Sequence, residues 1–398
     1  MKRLRVLSIS TLFPSPARPA FGKFVAEQMR AVAARGDIAL TVLNPVGLPP
    51  WPLSRAAPYR AQAATPESSA FHGLAVRHPR FTLVPRWGVE RNPRRIARAL
   101  LPMARALHDI QPFDLVDAQF FFPDGPAAAI IAQALDRPLT IKARGSDIHH
   151  WGTVDGARAQ MLSAASQAAG LLAVSGALRH DMAIIGMPEE RIAVHYTGLD
   201  HDRFRPMERT AARGLMSALP HLGALADEPL LVAPGALIPV KGQALAIQAL
   251  ARLPAARLAL AGTGSDEARL RDIRRSTGVA DRVHFLGQVS HEHLPHLLSA
   301  ADAMVLPSER EGLANAWIEA LACGTPLVIP DIGGAREVVR SPSAGRIVER
   351  TPEAIAAAVA EILDDPPNQS EVAANAARFS WSRNAEELAA FWHEAAAS

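Results

Sequence analysis

Residues 303–329 of this 398-residue chain read AMVLPSEREGLANAWIEALACGTPLVI. The stretch starts with a short apolar run (303–306), passes through a polar loop, and enters an alanine-rich segment (314–322) that is typical of a helix. A second apolar run (326–329) follows Gly324. Strand, helix and strand in this order predict a βαβ unit, in which the two strands are parallel members of one sheet.

The same alternation of short apolar runs and longer helical stretches continues along the chain. Continuous apolar strands between helices are typical of parallel sheets that are covered on both faces. We therefore predict the α/β class, with two doubly wound, Rossmann-like parallel sheets facing each other across a cleft at the carboxyl ends of their strands. The predicted strands are 6–10, 40–43, 115–118, 139–142, 170–174, 230–233, 257–261, 283–286, 303–306 and 326–329, and the predicted helices include 23–35, 243–252, 314–322 and an amphipathic tail at 381–397.

Length and composition indicate how the chain divides. With 398 residues the chain can form two or three domains with separate cores, and 49% hydrophobic against 20% charged residues excludes disorder of its bulk. We expect an N-terminal domain at 1–201, a linker at 202–228 and a C-terminal domain at 229–380. The tail helix, 381–398, is expected to pack back onto the first domain.

Cysteine content and hydropathy indicate the compartment. The single cysteine, Cys323, excludes a disulfide framework and a cysteine-rich zinc module, which favours a reducing cytoplasm. No apolar run approaches the ~18 residues that span a bilayer. Lys2 and Arg3 before the apolar run 6–13 superficially resemble a signal peptide, but that run is short and meets Pro14. A first buried strand is the better interpretation.

The net charge of +3 is unevenly distributed. Residues 51–110 carry ten arginines against three acidic residues, a local charge of +7. Such a segment could meet an anionic membrane or a phosphorylated substrate, or it could be a solvated helical face, and the sequence leaves these open. No basic motif with interleaved aromatic residues accompanies it, so we expect no nucleic-acid partner.

The loop and helix start within 307–326 have the chemistry of an anion site. N–H groups in the first turn of a helix lack partners within the helix, so they can bind a phosphate. Glu311 and Glu319 lie eight residues apart, which is at most ~12 Å along a helix axis and is similar to the span from hexose to ribose in a sugar nucleotide. The alternative makes Glu311 a loop charge and Glu319 a surface helix residue.

Glu311, seven residues, Glu319, and then Ala320-Leu-Ala-x-Gly324-x-Pro326 resemble the signature of the retaining glycosyltransferases of family 4, which have the two-Rossmann GT-B fold. The resemblance extends over nearly the whole chain, in the right order. Its other pieces are Phe21-Gly22-Lys23-Phe24, Ala143-Arg144-Gly145-Ser146-Asp147-Ile148, Val174-Ser175, Gly198-Leu199-Asp200, Phe204, Gly235-Ala236-Leu237, Lys241-Gly242, Gly262-Thr263-Gly264, Phe285-Leu286-Gly287 and Gly333-Gly334 with Glu337.

The resemblance implies an acceptor-binding N-terminal domain and a C-terminal domain that binds the nucleotide sugar. Lys241 would neutralise the pyrophosphate as its bond to the sugar breaks, Glu311 would contact the donor sugar, and Glu319 the ribose hydroxyls. The predicted catalytic residues are Lys241, Glu311 and Arg144; the other donor-binding residues are Gly22, Gly235, Gly264, Val289, Gly312, Leu313, Ala314 and Glu319; and the acceptor side comprises Arg144, Ser146 and Asp147. We expect no metal and no cofactor, only a nucleotide diphosphate sugar of UDP or GDP as co-substrate.

Three positions depart from the family pattern. Arg144 stands where members often have a histidine, Ala236 where many have an arginine, and Thr197 where asparagine is common. An arginine stays protonated and is no base, but its planar fork can clamp a phosphate or carboxylate. The alternative for Arg144 is an ion pair with Asp147 or Asp124 that shapes the loop. Asp147 itself is either an acceptor contact or a structural loop carboxylate.

Taken with the resemblance, the sequence predicts a cytoplasmic, metal-independent, retaining glycosyltransferase. It would move a sugar from a nucleotide diphosphate sugar to a hydroxyl of a lipid-linked or polysaccharide acceptor, on the inner face of the membrane if segment 51–110 docks there. A nucleotide-sugar epimerase of the same fold and a catalytically weakened nucleotide-sugar-binding protein stay open. His291, His293 and His296 lack an acidic or thiol partner spaced for zinc, so a polar helix start is favoured there.

Overall fold

The computed structural model describes residues 3–19, 21–84, 88–216, 228–290 and 292–398. The chain divides into two compact units. Unit 1 comprises Met1–Gly198 and Trp381–Ser398, and unit 2 comprises Leu199–Ser380.

Ten strands form two sheets in the described part of unit 1: β1 (Leu4–Ile9), β2 (Ile38–Leu43), β3 (Val46–Leu48), β4 (Ser68–Phe71), β5 (Leu74–Arg77), β6 (Arg80–Thr82), β7 (Leu115–Ala118), β8 (Leu139–Ala143), β9 (Gly170–Ala173) and β10 (Ile192–Val194). The main sheet has the order β10-β9-β8-β7-β1-β2-β5-β4, and β3 pairs with β6. All neighbours in the main sheet are parallel except β4 and β5. Val6, Leu7 and Ile9 of the central strand are fully buried because helices cover both faces.

Unit 2 contains one described sheet of six parallel strands: β11 (Leu230–Pro234), β12 (Arg257–Ala261), β13 (Val283–Gly287), β14 (Ala303–Val305), β15 (Leu327–Pro330) and β16 (Gly345–Val348). Their order is β13-β12-β11-β14-β15-β16. The order reverses direction on either side of β11, which is the point where doubly wound sheets bind ligands.

The helices alternate with the strands along the chain: α1 (Lys23–Ala34), α2 (Ala57–Ala63), α3 (Asn92–Ile110), α4 (Asp124–Leu135), α5 (Ser146–His149), α6 (Asp155–Gln167), α7 (Gly176–Ile184), α8 (Arg209–Met216), α9 (Gln243–Leu250), α10 (Glu267–Ser276), α11 (Leu294–Ala300), α12 (Asn315–Ala322), α13 (Ala335–Val338), α14 (Pro352–Asp364), α15 (Gln369–Ala374) and α16 (Trp381–Ala397). Short 3-10 turns lie at Leu53–Arg55, Val89–Arg91, Trp151–Thr153, Glu189–Arg191, Pro239–Lys241 and Pro342–Ala344. No helix within the described ranges is long and apolar enough to cross a bilayer.

The tail helix α16 belongs to the core of unit 1. Ala385, Leu388, Trp392 and Ala395 recur at three- and four-residue spacing, so they form one apolar face, and all four are buried. This face packs with α1 in the core that also contains the apolar residues of β1 and β2. The last helix of the chain is therefore an integral part of the first unit.

The predicted α/β class and its parallel sheets are confirmed. Each predicted strand is present within about two residues of its expected bounds. The strands that the pattern did not predict are short or lie at or near sheet edges: β3, β4, β5, β6, β10 and β16.

The segment predicted as a linker, 202–228, carries α8, and its residues 217–227 lie outside the described part of the chain. Helix α8 packs on α11 within unit 2. Arg213 of α8 donates hydrogen bonds to the Ala300 carbonyl (3.1 Å) and to Asp302 (2.6 Å). The turn signals before the segment and the new strand after it suggested a linker, but its helix α8 is bonded into unit 2.

Candidate functional site

Lys241 and Glu311 meet at the carboxyl edge of the sheet in unit 2. Lys241 ends the turn that follows β11, and Glu311 lies in the loop between β14 and α12. The Lys241 ammonium lies 2.5 Å from Glu311 Oε1, and both side chains keep some exposure, 23% and 12%. The sequence placed these two residues in one site, and the structure shows that they pair directly with each other.

A backbone hydrogen bond joins the two loops at this point: the Glu309 N–H donates to the Val240 carbonyl (2.8 Å). From the segment after β16, the Arg350 side chain donates through Nε to the Pro307 carbonyl (3.0 Å). Gly242 has a φ of 70°, and a Cβ there would overlap the Pro307 carbonyl oxygen. Only glycine fits without strain, so the loop carrying Glu311 can approach the turn carrying the lysine.

A second pair of loops crosses beside this site. Gly235 N–H donates to the Ala261 carbonyl (2.9 Å), and Leu237 N–H donates to the Thr263 carbonyl (3.0 Å). A Cβ at Gly264 would overlap the Leu237 carbonyl, so the absence of a side chain lets the two loops touch. The two predicted glycines, Gly235 and Gly264, thus form a tight double turn next to the Lys241 turn.

The remaining predicted donor residues lie around the start of α12. Gly312 accepts a hydrogen bond from the Gly334 N–H (2.8 Å), which fixes the loop before the helix. Leu313 and Ala314 are buried, and Ala314 is the N-cap of α12. Glu319 is partly buried on the same helix. The first N–H groups of α12 therefore begin next to the loop that carries Glu311, as an anion site requires.

Two predicted donor residues lie elsewhere. Val289 is partly buried and follows β13, two strands from β11 in the same sheet. Gly22 is the N-cap of α1 in unit 1, after the loop that leaves β1. Of the predicted donor residues, Gly22 alone belongs to unit 1.

Arg144 follows β8 at the carboxyl edge of the sheet in unit 1. Its guanidinium donates to the Gln119 carbonyl (3.1 Å), to Gln119 Oε1 (2.5 Å) and to Gln28 Oε1 (3.1 Å). It also lies over the Phe24 ring, 5.3 Å from the centroid. Burial lowers the pKa of Arg144 to about 10, so that the side chain stays charged at neutral pH.

The alternative for Arg144, an ion pair with an aspartate that shapes the loop, is wrong about the partners of the guanidinium. Among the described residues, its guanidinium forms no ion pair with Asp147 or Asp124; two glutamines hold it instead. The backbone N–H of Arg144 is the group that bonds to Asp147, at 3.0 Å. Neutral acceptors leave the positive charge of the fork uncompensated by a direct partner, which favours an anionic ligand.

Asp147 organises its own loop. Its carboxylate is fully buried and accepts backbone N–H groups of Phe121 (2.8 Å), Arg144, Gly145 (2.8 Å) and Ile148 (3.2 Å). Burial raises the pKa of Asp147, while these N–H groups act in the opposite direction. Asp147 thus shapes the loop from inside. Ser146, at its surface, is exposed.

A buried network that the sequence did not predict lies behind Arg144. Lys142 Nζ lies 2.7 Å from His195 Nδ1 and 3.4 Å from Gln28 Oε1. His195 Nε2 lies 2.9 Å from the Asn384 carbonyl, so we assign the hydrogen to Nε2 and an acceptor role to Nδ1. Burial, followed by the nearby Arg144 charge, holds the pKa of Lys142 well below its usual range.

The network continues to Asp117, which is fully buried. Its carboxylate accepts hydrogen bonds from Ser8 Oγ (3.0 Å), Thr140 Oγ1 (2.9 Å), Gln119 Nε2 (2.7 Å) and Trp392 Nε1 (3.1 Å). Burial raises the pKa of Asp117, and the four donors oppose that rise. Gln119 therefore joins the Asp117 cluster to the Arg144 guanidinium.

The other titratable groups form no metal centre in the described part of the chain. No cluster of three or more histidine, cysteine, aspartate or glutamate side chains is present there. His293 is the N-cap of α11 and lies 2.9 Å from Ser290 Oγ, and His296 is within α11. His291 lies outside the described residues.

Family comparisons identify the chain. Residues 23–203 match the family described as Glycosyltransferase Family 4, and residues 220–379 match the family described as Glycosyl transferases group 1. The chain belongs to glycosyltransferase family 4.

Named relatives of this family 4 chain differ in how much of it they match. The putative teichuronic acid biosynthesis glycosyltransferase TuaC of Bacillus subtilis strain 168 is 28% identical, over 97% of both chains. A D-inositol 3-phosphate glycosyltransferase of Geodermatophilus obscurus is 36% identical over 226 residues, which are 53% of this chain and 49% of the relative. The match thus spans about half the length of such relatives.

Solved structures confirm the predicted GT-B fold. Sucrose-phosphate synthase from Thermosynechococcus elongatus has a TM-score of 0.79 at 19% identity and covers both chains completely. Anabaena HepE in complex with UDP-glucose has a TM-score of 0.70 at 20% identity, covering 98% of this chain and 100% of that one. At this level of identity the similarity concerns the fold.

Sequence reasoning missed the polar residues behind the Arg144 loop of this family 4 chain: Gln28, Asp117, Gln119, Lys142 and His195. One signal was present, because Asp117 and Lys142 are charged residues within otherwise apolar strands of a sheet that is covered on both faces. A charged side chain at such a buried position needs hydrogen-bonding partners that are buried with it.

Proposed function

We propose that this chain is a retaining glycosyltransferase. It transfers a sugar from a nucleotide diphosphate sugar, UDP first among the candidates, to a hydroxyl of a lipid-linked or growing polysaccharide acceptor. The Lys241–Glu311 pair at the start of α12 carries this proposal. Support also comes from TuaC, whose name refers to teichuronic acid biosynthesis, and from HepE, whose structures hold UDP and UDP-glucose.

On the donor side, the pyrophosphate of the sugar nucleotide binds between the Lys241 ammonium and the first turn of α12. The ammonium then exchanges part of its contact with Glu311 for the phosphate oxygens. As negative charge builds on the departing pyrophosphate, the cation and the helix N–H groups stabilise it more than they stabilise the bound donor. Glu311 accepts hydroxyl groups of the sugar, and Glu319 those of the ribose.

The transfer proceeds on one face of the sugar. The acceptor hydroxyl oxygen attacks the anomeric carbon from the side of the departing phosphate, the carbon–oxygen bond to that phosphate breaks, and the hydroxyl proton passes to the released phosphate oxygen. The products are the extended acceptor and the nucleoside diphosphate, with the anomeric configuration retained. No protein base is needed, which accounts for Arg144 in place of a histidine. The Arg144 guanidinium serves as an anion clamp.

The basic face of α3 supports docking at the inner face of an anionic membrane. Arg94, Arg98 and Arg105 are exposed on this helix, and none forms an ion pair among the described residues. The opposite face, with Ile96 and Leu100, is fully buried. Each basic residue near an anionic surface contributes about 1 kcal/mol to binding, so three together are significant.

The test is hydrolysis of the donor, because it requires no knowledge of the acceptor. Thermal stabilisation by UDP-, GDP- and ADP-sugars selects the donor, since a ligand bound to the folded state raises the melting temperature. Proton NMR then identifies which anomer of the free sugar is released first when that α-linked donor is hydrolysed. Early α-anomer supports retention. Early β-anomer contradicts it, and an isomerised nucleotide sugar without release identifies an epimerase.

A further inference from the structure

A pocket of about 220 Å³ lies at the carboxyl ends of β1 and β2 in unit 1. Its walls come from the loop after β1, from the start of β3, from the end of α2 and from the strand β6. At ~30 Å³ per water molecule this space equals roughly seven waters, which suits one sugar ring. None of the predicted site residues lines it.

The lining has the chemistry that recognises a sugar ring. Phe13, Phe21 and Phe81 supply aromatic surface for the C–H groups of the ring. Gln62 and Thr65 supply an amide and a hydroxyl for its hydroxyl groups. The wall therefore combines aromatic surface with hydrogen-bonding side chains, and a sugar ring presents both kinds of surface.

The pocket walls are held in place by hydrogen bonds. Asn44 Nδ2 donates to the Phe13 carbonyl (3.2 Å) and to the Pro14 carbonyl (3.3 Å), which joins the loops after β2 and β1. Arg80 donates to the carbonyls of Ala63 (3.0 Å) and Thr65 (3.2 Å), which fixes the end of α2. The pocket is therefore formed before any ligand arrives.

Thr65 carries an unpaired polar atom in this wall. The residue is 3% exposed, and its Oγ1 has no hydrogen-bond partner among the described residues. A buried hydroxyl without a partner destabilises a folded protein, so its presence needs a reason. A ligand hydroxyl at the pocket supplies one.

Arg18 adds a positive charge at the pocket. Its guanidinium lies over the Phe21 ring, 4.1 Å from the centroid, and forms no ion pair among the described residues. Reciprocal backbone bonds between Ser15 and Arg18, at 2.9 and 3.3 Å, fix the turn that carries it. Arg18 is exposed at the pocket, where an unpaired guanidinium fits a carboxylate or phosphate on the ligand.

We propose that this pocket binds the terminal sugar ring of the acceptor, and that the ring carries an anionic group recognised by Arg18. The inference rests on the proposed function. It is consistent with the sheet order, because β8, β7, β1 and β2 are neighbours, so the pocket and Arg144 follow strands of the same sheet at the same edge.

The test compares two sugars that differ at one carbon, methyl β-D-glucuronide and methyl β-D-glucoside, by ligand-observed NMR on the full chain. Acetate at equal concentration tests for a site that binds any anion. The variants are Arg18→Gln, Gln62→Leu and Thr65→Val, with Thr277→Val as control because its hydroxyl bonds a carbonyl of α10 in unit 2. UDP-glucose binding is measured in parallel for every protein.

The wild-type chain should bind the glucuronide roughly 5- to 10-fold more tightly than the glucoside, and Arg18→Gln should abolish that preference. Thr65→Val and Gln62→Leu should weaken both sugars about 5-fold while UDP-glucose binding and the control stay unchanged. Thr65→Val should not lower the melting temperature, since it removes an unpaired group.

Several results would overturn the proposal. The first is that wild type, Thr65→Val and Gln62→Leu bind the sugars equally well. The second is that acetate competes as well as the glucuronide does. The third is that a chain which binds UDP-glucose binds neither sugar. If the wild-type chain does not bind UDP-glucose, that result would instead count against the proposed function.

Discussion

Replacing Lys241 by alanine separates the role of this lysine in folding from its role in transfer. The Lys241–Glu311 pair keeps contact with solvent, since its side chains are 23% and 12% exposed. Pairs of this kind contribute at most about 1 kcal/mol to stability. For a unit of the size of Leu199–Ser380 that corresponds to a change in melting temperature of roughly 2–4 °C or less.

The expected effect on turnover is much larger. A cation that stabilises charge developing on a leaving group is worth ~2.7–4 kcal/mol, or about 100- to 1,000-fold in rate. We therefore expect Lys241→Ala to lower kcat for sugar transfer or donor hydrolysis by at least ~100-fold in a folded protein. Arg252→Ala is the matched control, because it removes a cation from a surface pair with Glu353 in the same unit.

The double variant Lys241→Ala/Glu311→Gln distinguishes two explanations of that loss. If Lys241 only neutralises Glu311, removing the carboxylate as well should restore turnover. If it acts on the donor pyrophosphate, the double variant stays as slow as Lys241→Ala or slower. Restored activity, or wild-type kcat in Lys241→Ala alone, would refute the assignment of this lysine to the donor.

The remaining predictions concern unit 1. Arg144→Lys keeps the charge but loses the fork that bonds Gln119, so kcat/KM per folded molecule should fall roughly 10-fold; a loss of stability with unchanged kcat/KM would contradict the clamp. Burial raises the pKa of Asp124 to about 7. The folded state therefore binds this proton more tightly than the unfolded state, and stability falls as pH rises from about 4 to 7. Asp124→Asn should raise the melting temperature at pH 8 and raise it less at pH 5, and an equal effect at both would count against this linkage. Replacing Arg94 and Arg98 by glutamine should abolish salt-sensitive co-sedimentation with anionic vesicles, and equal sedimentation with neutral vesicles would exclude electrostatic docking.

The sequence predicted the parts of the fold that rest on local patterns. The five strands expected in each half were found because continuous apolar runs between helical stretches are specific to buried parallel strands. Strands β4 and β5 were not predicted because each is only four residues long and has one exposed face, so neither forms a continuous apolar run. Helix α16 was predicted at its observed bounds, since Leu388 and Trp392 mark its apolar face.

The candidate site was predicted less evenly, because its contacts join distant parts of the chain. The family pattern placed Lys241 and Glu311 in one site, but nothing local to either residue indicates that they pair across 70 positions. Gln28 is 116 residues from Arg144, and no spacing rule connects the two. An ion pair with Asp147 was the natural local alternative for Arg144, and the structure gives that carboxylate to backbone N–H groups instead.

The buried polar network of unit 1 has a physical cost that packing alone does not explain. A fully buried lysine and a fully buried aspartate would both be replaced by apolar residues in a core selected for stability. Here each is bonded on several sides, and the bonds lead through Gln28 and Gln119 to the Arg144 guanidinium. A guanidinium held by fixed amide oxygens keeps one orientation, and a group with a fixed orientation loses little freedom when it binds an anion. The network therefore fixes the orientation of Arg144, and this role explains why the costly buried groups are present.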